Sequence, residues 1–262
     1  AAGRVGDQPL HRVDVAAAGA HDQALQRGVA HGGVQALAVA DSGCTRAAGA
    51  QVAGHQPQAG QHDLVVVGQQ IATAALEGDI QAGGKHWPEA ASAYRSALKL
   101  AVAPELAIKL HTVYLAAKNK GEADKFSAAW LKDHPKDVAF RLHMGDVALA
   151  GKDYTAASQH YRAAIDVQPN NPLAFNNLAW VSGQLKSPKA IEYAEKANQL
   201  APNQPAFMDT LAMLMAAKGD AAGAITLLRK ALEITPQAAT IRLNLAKLLV
   251  SAGRKEEAQK EL

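Results

Sequence analysis

The chain has one thiol, Cys44, in the order Ser42-Gly43-Cys44. A small residue followed by cysteine is the pattern at which a lipid-anchored bacterial protein is cleaved and acylated on sulfur. Such a site needs an apolar residue where Asp41 stands, so Cys44 reads as a free thiol. A single cysteine can form neither an intrachain disulfide nor a cysteine-based metal centre. His11, His21, His31, His55 and His62 could ligate a metal, but no two of them have the i, i+4 spacing that sets both rings on one helix face. They read as compositional histidines of a solvated segment. Gly83-Gly84-Lys85 lacks the spacing of a phosphate-cradling loop, and Glu256-Glu257 reads as a solvated helix face. The Ser, His and Asp residues shift from one internal copy to the next, so no catalytic triad is implied. No catalytic residue, cofactor or metal is expected.

The elements that would position any site are written repeatedly. The stretch from Asn170 to Gln237 states one pattern twice: an apolar helical period after a proline, a polar break, an alanine-rich helical period, and another proline. Pro135, Pro169, Pro202 and Pro236 recur at spacings of 34, 33 and 34 residues. A fixed period of this size means a stack of supersecondary units, each too small to bury its own apolar face. Leu76-Glu77-Gly78-Asp79 with Trp87 matches Met144-Gly145-Asp146 with Tyr154, which adds a first copy with a truncated opening helix.

Length and composition fit this reading. The chain has 262 residues, 48% hydrophobic and 19% charged, with a net charge of +3. That charge is too mild and too scattered for a phosphate-binding footprint, so no nucleic-acid partner is expected. No run of about 18 apolar residues is present, and no membrane insertion is expected within the chain. From Ala1 to Gln70 there is no Lys, Glu, Ile, Phe, Tyr, Trp, Met or Asn. Residues 1–74 therefore read as a low-complexity Ala/Gly/Gln/His-rich segment, too poor in large apolar residues to offset chain entropy and poorly ordered. The same bias comes from GC-rich DNA read out of frame, which leaves open whether this segment is natural protein. Residues 75–262 are expected to hold about five repeats and a partial sixth. The first residue, Ala1, and the last, Leu262 inside a helical pattern, suggest a piece of a longer protein.

The copies resemble the tetratricopeptide (TPR) repeat, a helix-turn-helix of about 34 residues. The first helices carry Phe175, Leu178 and Ala179, then Met208, Leu211, Ala212 and Met215. The second helices carry Ala157, Tyr161, Ala164 and Pro169, then Ala190, Ala194, Ala197 and Pro202, then Ala224, Leu228, Ala231 and Pro236. In the copy from Pro104, His111 takes a small-residue place and Trp130 an alanine place, so looser packing is expected there. Gly151, Gly219 and Gly253 are expected to stop first helices with a positive φ. The short copy should lose its residue at the inter-helix turn, Lys186-Ser187-Pro188.

The resemblance implies an all-α, right-handed superhelix with a concave groove lined by the first helix of each repeat. It implies a protein or peptide partner held there by Leu142, Asp146, Leu149, Asn176, Trp180, Asp209, Met213, Lys247 and Val250, with Asn177 and Asn244 structural. Lys247 and Asn176 alone do not recreate the clamp of chaperone-binding TPR domains, which argues against that partner class. The wording of the copies is also similar to the C-terminal part of the TPR-repeat lipoprotein of the PEP-CTERM/exosortase system. That likeness implies a role in exopolysaccharide export or surface-protein sorting and a place in the bacterial cell envelope. The alternative is a substrate-presenting arm of a larger enzyme, such as a glycosyltransferase.

Overall fold

The computed structural model describes residues 59–261. Cys44, the histidines His11, His21, His31 and His55, and most of the segment 1–74 lie outside the described residues. The described residues form twelve helices and no strand. They are α1 (Ala59–Gly83), α2 (Trp87–Leu100), α3 (Pro104–Ala116), α4 (Lys120–Asp133), α5 (Val138–Ala150), α6 (Tyr154–Val167), α7 (Pro172–Gln184), α8 (Ala190–Leu200), α9 (Pro205–Ala217), α10 (Ala221–Ile234), α11 (Ala239–Ser251) and α12 (Lys255–Glu261). Each odd-numbered helix pairs with the even one after it, and the even helices pack on the next odd one, α4 meeting α5 through the side chains of Trp130 and Phe140. The result is an all-α solenoid of six helical hairpins.

The first hairpin is more complete than its composition suggests. α1 begins at Ala59, well before the boundary expected at residue 75. Ala, Leu and Gln are good helix formers, and Ile71, Ala74, Ala75 and Ala82 recur on one face and pack against Ala90, Ala91, Tyr94 and Ala97 of α2. Alanine-rich contacts suffice because the partner helix is equally small-faced. Leu76 and Ile80 stay 57% and 59% exposed. At equivalent places α7 buries Asn177 and Val181 under the preceding hairpin, and no hairpin precedes α1 among the described residues.

The turn inside every hairpin follows one rule. Lys85, Lys118, Lys152, Lys186, Gly219 and Gly253 all have positive φ, between 54° and 97°. In each turn the next residue donates its N–H to a carbonyl five residues earlier, as in Asp153 N to Ala148 O at 2.9 Å. This closes the last helical turn. That next residue often caps the following helix: Asn119, Asp153 and Asp220 accept from the N–H of Glu122, Ala156 and Gly223. Gly219 and Gly253 therefore act as expected. Gly151 does not: its φ is −76°, and the left-handed residue is Lys152. The expectation was one residue out of register. A left-handed L-residue costs roughly 1–2 kcal/mol, part of which glycine returns through backbone entropy. Lys152→Gly, at an exposed side chain with no ion pair among the described residues, is expected to stabilise by about 0.5–1 kcal/mol, measured by urea denaturation.

The short copy keeps this turn at Lys186. Its residue is lost from the first turn of α8, which has 11 residues against 14 in α6 and starts after Lys189 with no side-chain cap.

The core is organised by size matching inside each hairpin. Gly78 and Gly145 lie under the rings of Tyr94 and Tyr161, and a Cβ on either glycine would run into the ring. Equivalent pairs are His111 with Ser127, Ala179 with Ala194, and Ala212 with Leu228. Each pair offers a large partner only where the other is small. The hairpin from Pro104 is the more open one, as expected: α3 and α4 approach each other less closely than the helices of the other hairpins, and large side chains fill the wider space, with His111 1% exposed and Trp130 packed against Ala107 and Phe140. The bulky histidine at the small-residue place goes with this wider spacing, although Ser127 stands at the matching place across the hairpin.

Candidate functional site

Neighbouring odd helices touch directly: α3 with α5, α7 with α9, and α9 with α11. No two even helices make comparable contact among the described residues. Elements that approach one another lie on the inner side of a curved stack, so the odd helices line the groove. The i, i+3, i+7 and i, i+4, i+7 periods put Leu173, Asn176 and Trp180 on one stripe, and Leu243, Lys247 and Val250 on another.

The structure sorts the expected groove residues into four groups. Lys247 and Val250 are exposed, and Met213 is partly exposed. Leu142 and Trp180 are partly buried against the cluster of Leu149, Ala157, Tyr161, Leu178 and Val181, and the Trp180 ring meets Tyr154 edge-on at 5.9 Å. Asp146, Asn176 and Asp209 are partly buried and hydrogen-bonded. Leu149 belongs to that cluster and is only 8% exposed, so it forms the floor and not the surface. Leu173 and Leu243 are exposed on the same stripes and were missed. Their spacing from Asn176 and Lys247 would have found them.

Between hairpins, the equivalent residues Lys109, Asn177 and Asn244 each donate to a carboxylate of the preceding hairpin. Tyr94 Oη donates to Asp79 at 2.6 Å, and Lys109 of the next hairpin donates to both Asp79 oxygens at 2.7 and 2.8 Å. Tyr161 Oη donates to Asp146 at 2.6 Å, and Asn177 adds a longer bond of 3.4 Å. Asn244 donates to Asp209 at 2.9 and 3.2 Å. Asn177 and Asn244 are buried and act structurally, linking hairpins. Burial, followed by the carboxylate beside it, pushes the Tyr94 and Tyr161 phenols up. Burial raises the Asp209 carboxyl too, against the opposing Asn244 bond.

At the joint between the second and third hairpins, His111 Nδ1 lies 2.9 Å from His143 Nε2. No group of three or more His, Cys, Asp or Glu able to hold a metal occurs among the described residues. No described helix is long and apolar enough to cross a membrane.

A stack of helical hairpins whose inner helices line an open groove is the architecture of a repeat-built interaction protein. The particular unit is the tetratricopeptide repeat, and the chain is a TPR-repeat protein. Two tetratricopeptide-repeat family models match, over residues 145–185 and 215–262. Small glutamine-rich tetratricopeptide repeat-containing protein 2 of Mycosarcoma maydis is 29% identical over 39% of this chain and 29% of its own length. A TPR repeat-containing protein of Pseudomonas aeruginosa is 27% identical over 51% of this chain and 24% of its own. The chain thus spans less than a third of the curated relatives it matches. Among solved structures, Pseudomonas aeruginosa PilF superposes with a TM-score of 0.59 at 21% identity, covering 74% of this chain and 90% of that one. A TPR protein of Parabacteroides merdae gives 0.61 at 14% identity, covering 74% and 77%. At such identities the likeness establishes the fold.

Proposed function

We propose that the chain is a non-catalytic scaffold whose inner groove holds an extended or helical peptide segment of a partner protein. TPR proteins as a class mediate protein–protein interaction, and the observation that carries the reading here is the repetition of one mixed stripe on successive inner helices. Leu142 with Asp146, Leu173 with Asn176 and Trp180, Asp209 with Met213, and Leu243 with Lys247 and Val250 offer apolar contacts at regular steps, with hydrogen-bonding groups between them. An amphipathic helix or an extended peptide presents side chains at matching intervals. The repeat domain proposed from 75 to 262, together with α1, is the binding unit.

Replacing Trp180 and Met213 together by alanine is expected to weaken partner binding by about 30-fold or more, since buried aromatic anchors dominate such interfaces. Trp180 also touches the core, so Met213→Ala with Val250→Ala is the companion variant, expected to weaken binding with the thermal midpoint unchanged. Titration calorimetry and circular dichroism read the two quantities; full affinity in both variants would remove the groove from consideration. The finer role, in exopolysaccharide export or PEP-CTERM protein sorting at the bacterial envelope, rests on the wording of the copies. Its test is whether exosortase genes flank the locus.

A further inference from the structure

Met213 occupies the place of Asp79 and Asp146 on its helix, and Asp209, one turn before it, is the least compensated of the three inter-hairpin carboxylates. The first member, Asp79, has a lysine and a tyrosine hydroxyl. The second, Asp146, has a tyrosine hydroxyl and an amide. Asp209 has one neutral amide, from Asn244, and no cationic partner among the described residues. Leu228 stands at the place of Tyr94 and Tyr161, so this hairpin has no tyrosine hydroxyl at that place. Lys247, one turn beyond Asn244 on α11, makes no ion pair with it. A partly buried carboxylate held by a single neutral donor carries an uncompensated desolvation cost.

A second acceptor stands at the equivalent place on the neighbouring inner helix. Asn176 Nδ2 donates to Asn177 Oδ1 at 3.4 Å, and Asn177 Nδ2 donates in turn to Asp146. That chain fixes the amide orientation, because the nitrogen must face the Asn177 oxygen. Asn176 Oδ1 is left buried without any partner. α7 and α9 pack side by side, so two donor-seeking oxygens sit on adjacent inner helices, flanked by Trp180 and Met213.

We infer that this part of the groove recognises a basic side chain, arginine or lysine, of the bound peptide, with Asp209 as its counter-charge and Asn176 as a second acceptor. The inference rests on the groove reading above and adds the chemistry of its occupant. A cation removes the desolvation penalty at Asp209, and its N–H groups satisfy oxygens that the fold leaves short of donors. The apolar residues on either side would hold the stem of the basic side chain.

The test uses a phage-displayed library of random dodecapeptides selected on the full chain. Selected peptides are expected to carry Arg or Lys at one fixed register. Asp209→Asn should weaken them by about 10- to 100-fold, the range of a charge-assisted contact. Replacing that Arg by citrulline should weaken binding to the wild type and change little in Asp209→Asn. Asn176→Ala is expected to give a smaller loss. A measurement independent of variants is the NMR titration of the Asp209 carboxyl, which should fall on peptide binding. Peptides that need Trp180 and Met213 yet show no basic register, or ignore Asp209→Asn, overturn the inference and leave the groove reading standing. Peptides indifferent to Trp180 and Met213, or no selected peptides at all, overturn both.

Discussion

Gly145→Ala is expected to destabilise the stack by about 1–3 kcal/mol, and Tyr161→Leu by about 2–4 kcal/mol. Made together, the two should cost less than their sum by about 1 kcal/mol or more. The glycine lies under a tyrosine ring that is fully buried and pinned by its hydroxyl to Asp146. A methyl there must push the ring off that bond, because a close-packed interior has no spare volume. Removing the ring opens a cavity that a methyl on the facing helix partly fills. The double variant recreates the combination of Ala212 and Leu228, which the same backbone already carries two hairpins along. Chemical denaturation of the four proteins gives the cycle directly. Additive losses would mean that size matching across the hairpin does not set its packing.

This rule was largely legible in the sequence, and its legibility shows where periodicity stops informing. The small residues at Gly78, Gly145, Ala179, Ala212 and Ala246 and the prolines closing each copy specify helix pairing locally, so the solenoid could be read without coordinates. His111 was informative when read alone: a bulky residue at a small-residue place marks the hairpin whose helices stand farther apart, and it is buried because aromatic neighbours such as Phe140 fill the wider space. Gly151 misled. Glycine marks a permissive backbone, but the hydrogen bond that closes the helix falls on the next residue, so Lys152 takes the left-handed conformation. The start of α1 was hidden because alanine and glutamine form helices without the large apolar residues that announce them. Of the site, the stripes containing Trp180, Met213 and Val250 were accessible from helical spacing. The hydrogen-bond pairing of Asp209 with Asn244, and the unpartnered Asn176 oxygen, depend on contacts between repeats that no single copy encodes.

Acidification is expected to cost the protein a few kcal/mol of stability between about pH 6.5 and pH 4, and the pair His111 and His143 to carry much of that loss. Their rings stand nearly perpendicular at 5.0 Å, and one nitrogen of each shares a 2.9 Å hydrogen bond, which requires a donor and an acceptor and therefore at least one neutral ring. Burial pulls both down to about 4. For His111 the smaller influences are Asp124, which opposes the shift, and Lys120, which adds to it. For His143 they are His111, which adds to it, and Asp146, which opposes it. A base whose folded value is depressed stabilises the fold above its unfolded value, near 6.5, and loses that contribution as pH falls through the folded value. The unfolded chain takes up protons that the native joint refuses, and a fall from 6.5 to about 4 at even one ring moves the equilibrium by about 3 kcal/mol. Asp209 has the opposite sign: its raised carboxyl favours the fold as pH falls and offsets part of the loss. The triple variant His111→Ala, Ser127→Leu and His143→Asn imports the combination already present at Ala212, Leu228 and Asn244. It should keep most of the neutral-pH stability and flatten the dependence, read as urea midpoints at pH 7.5 and 4.5. An unchanged slope in that variant would move the acid sensitivity away from this joint, with His160, lowered by burial and by Arg141, the next group to replace. A flattened slope would mean that two neutral histidines, placed where other repeats use alanine and asparagine, tie one joint of the solenoid to pH.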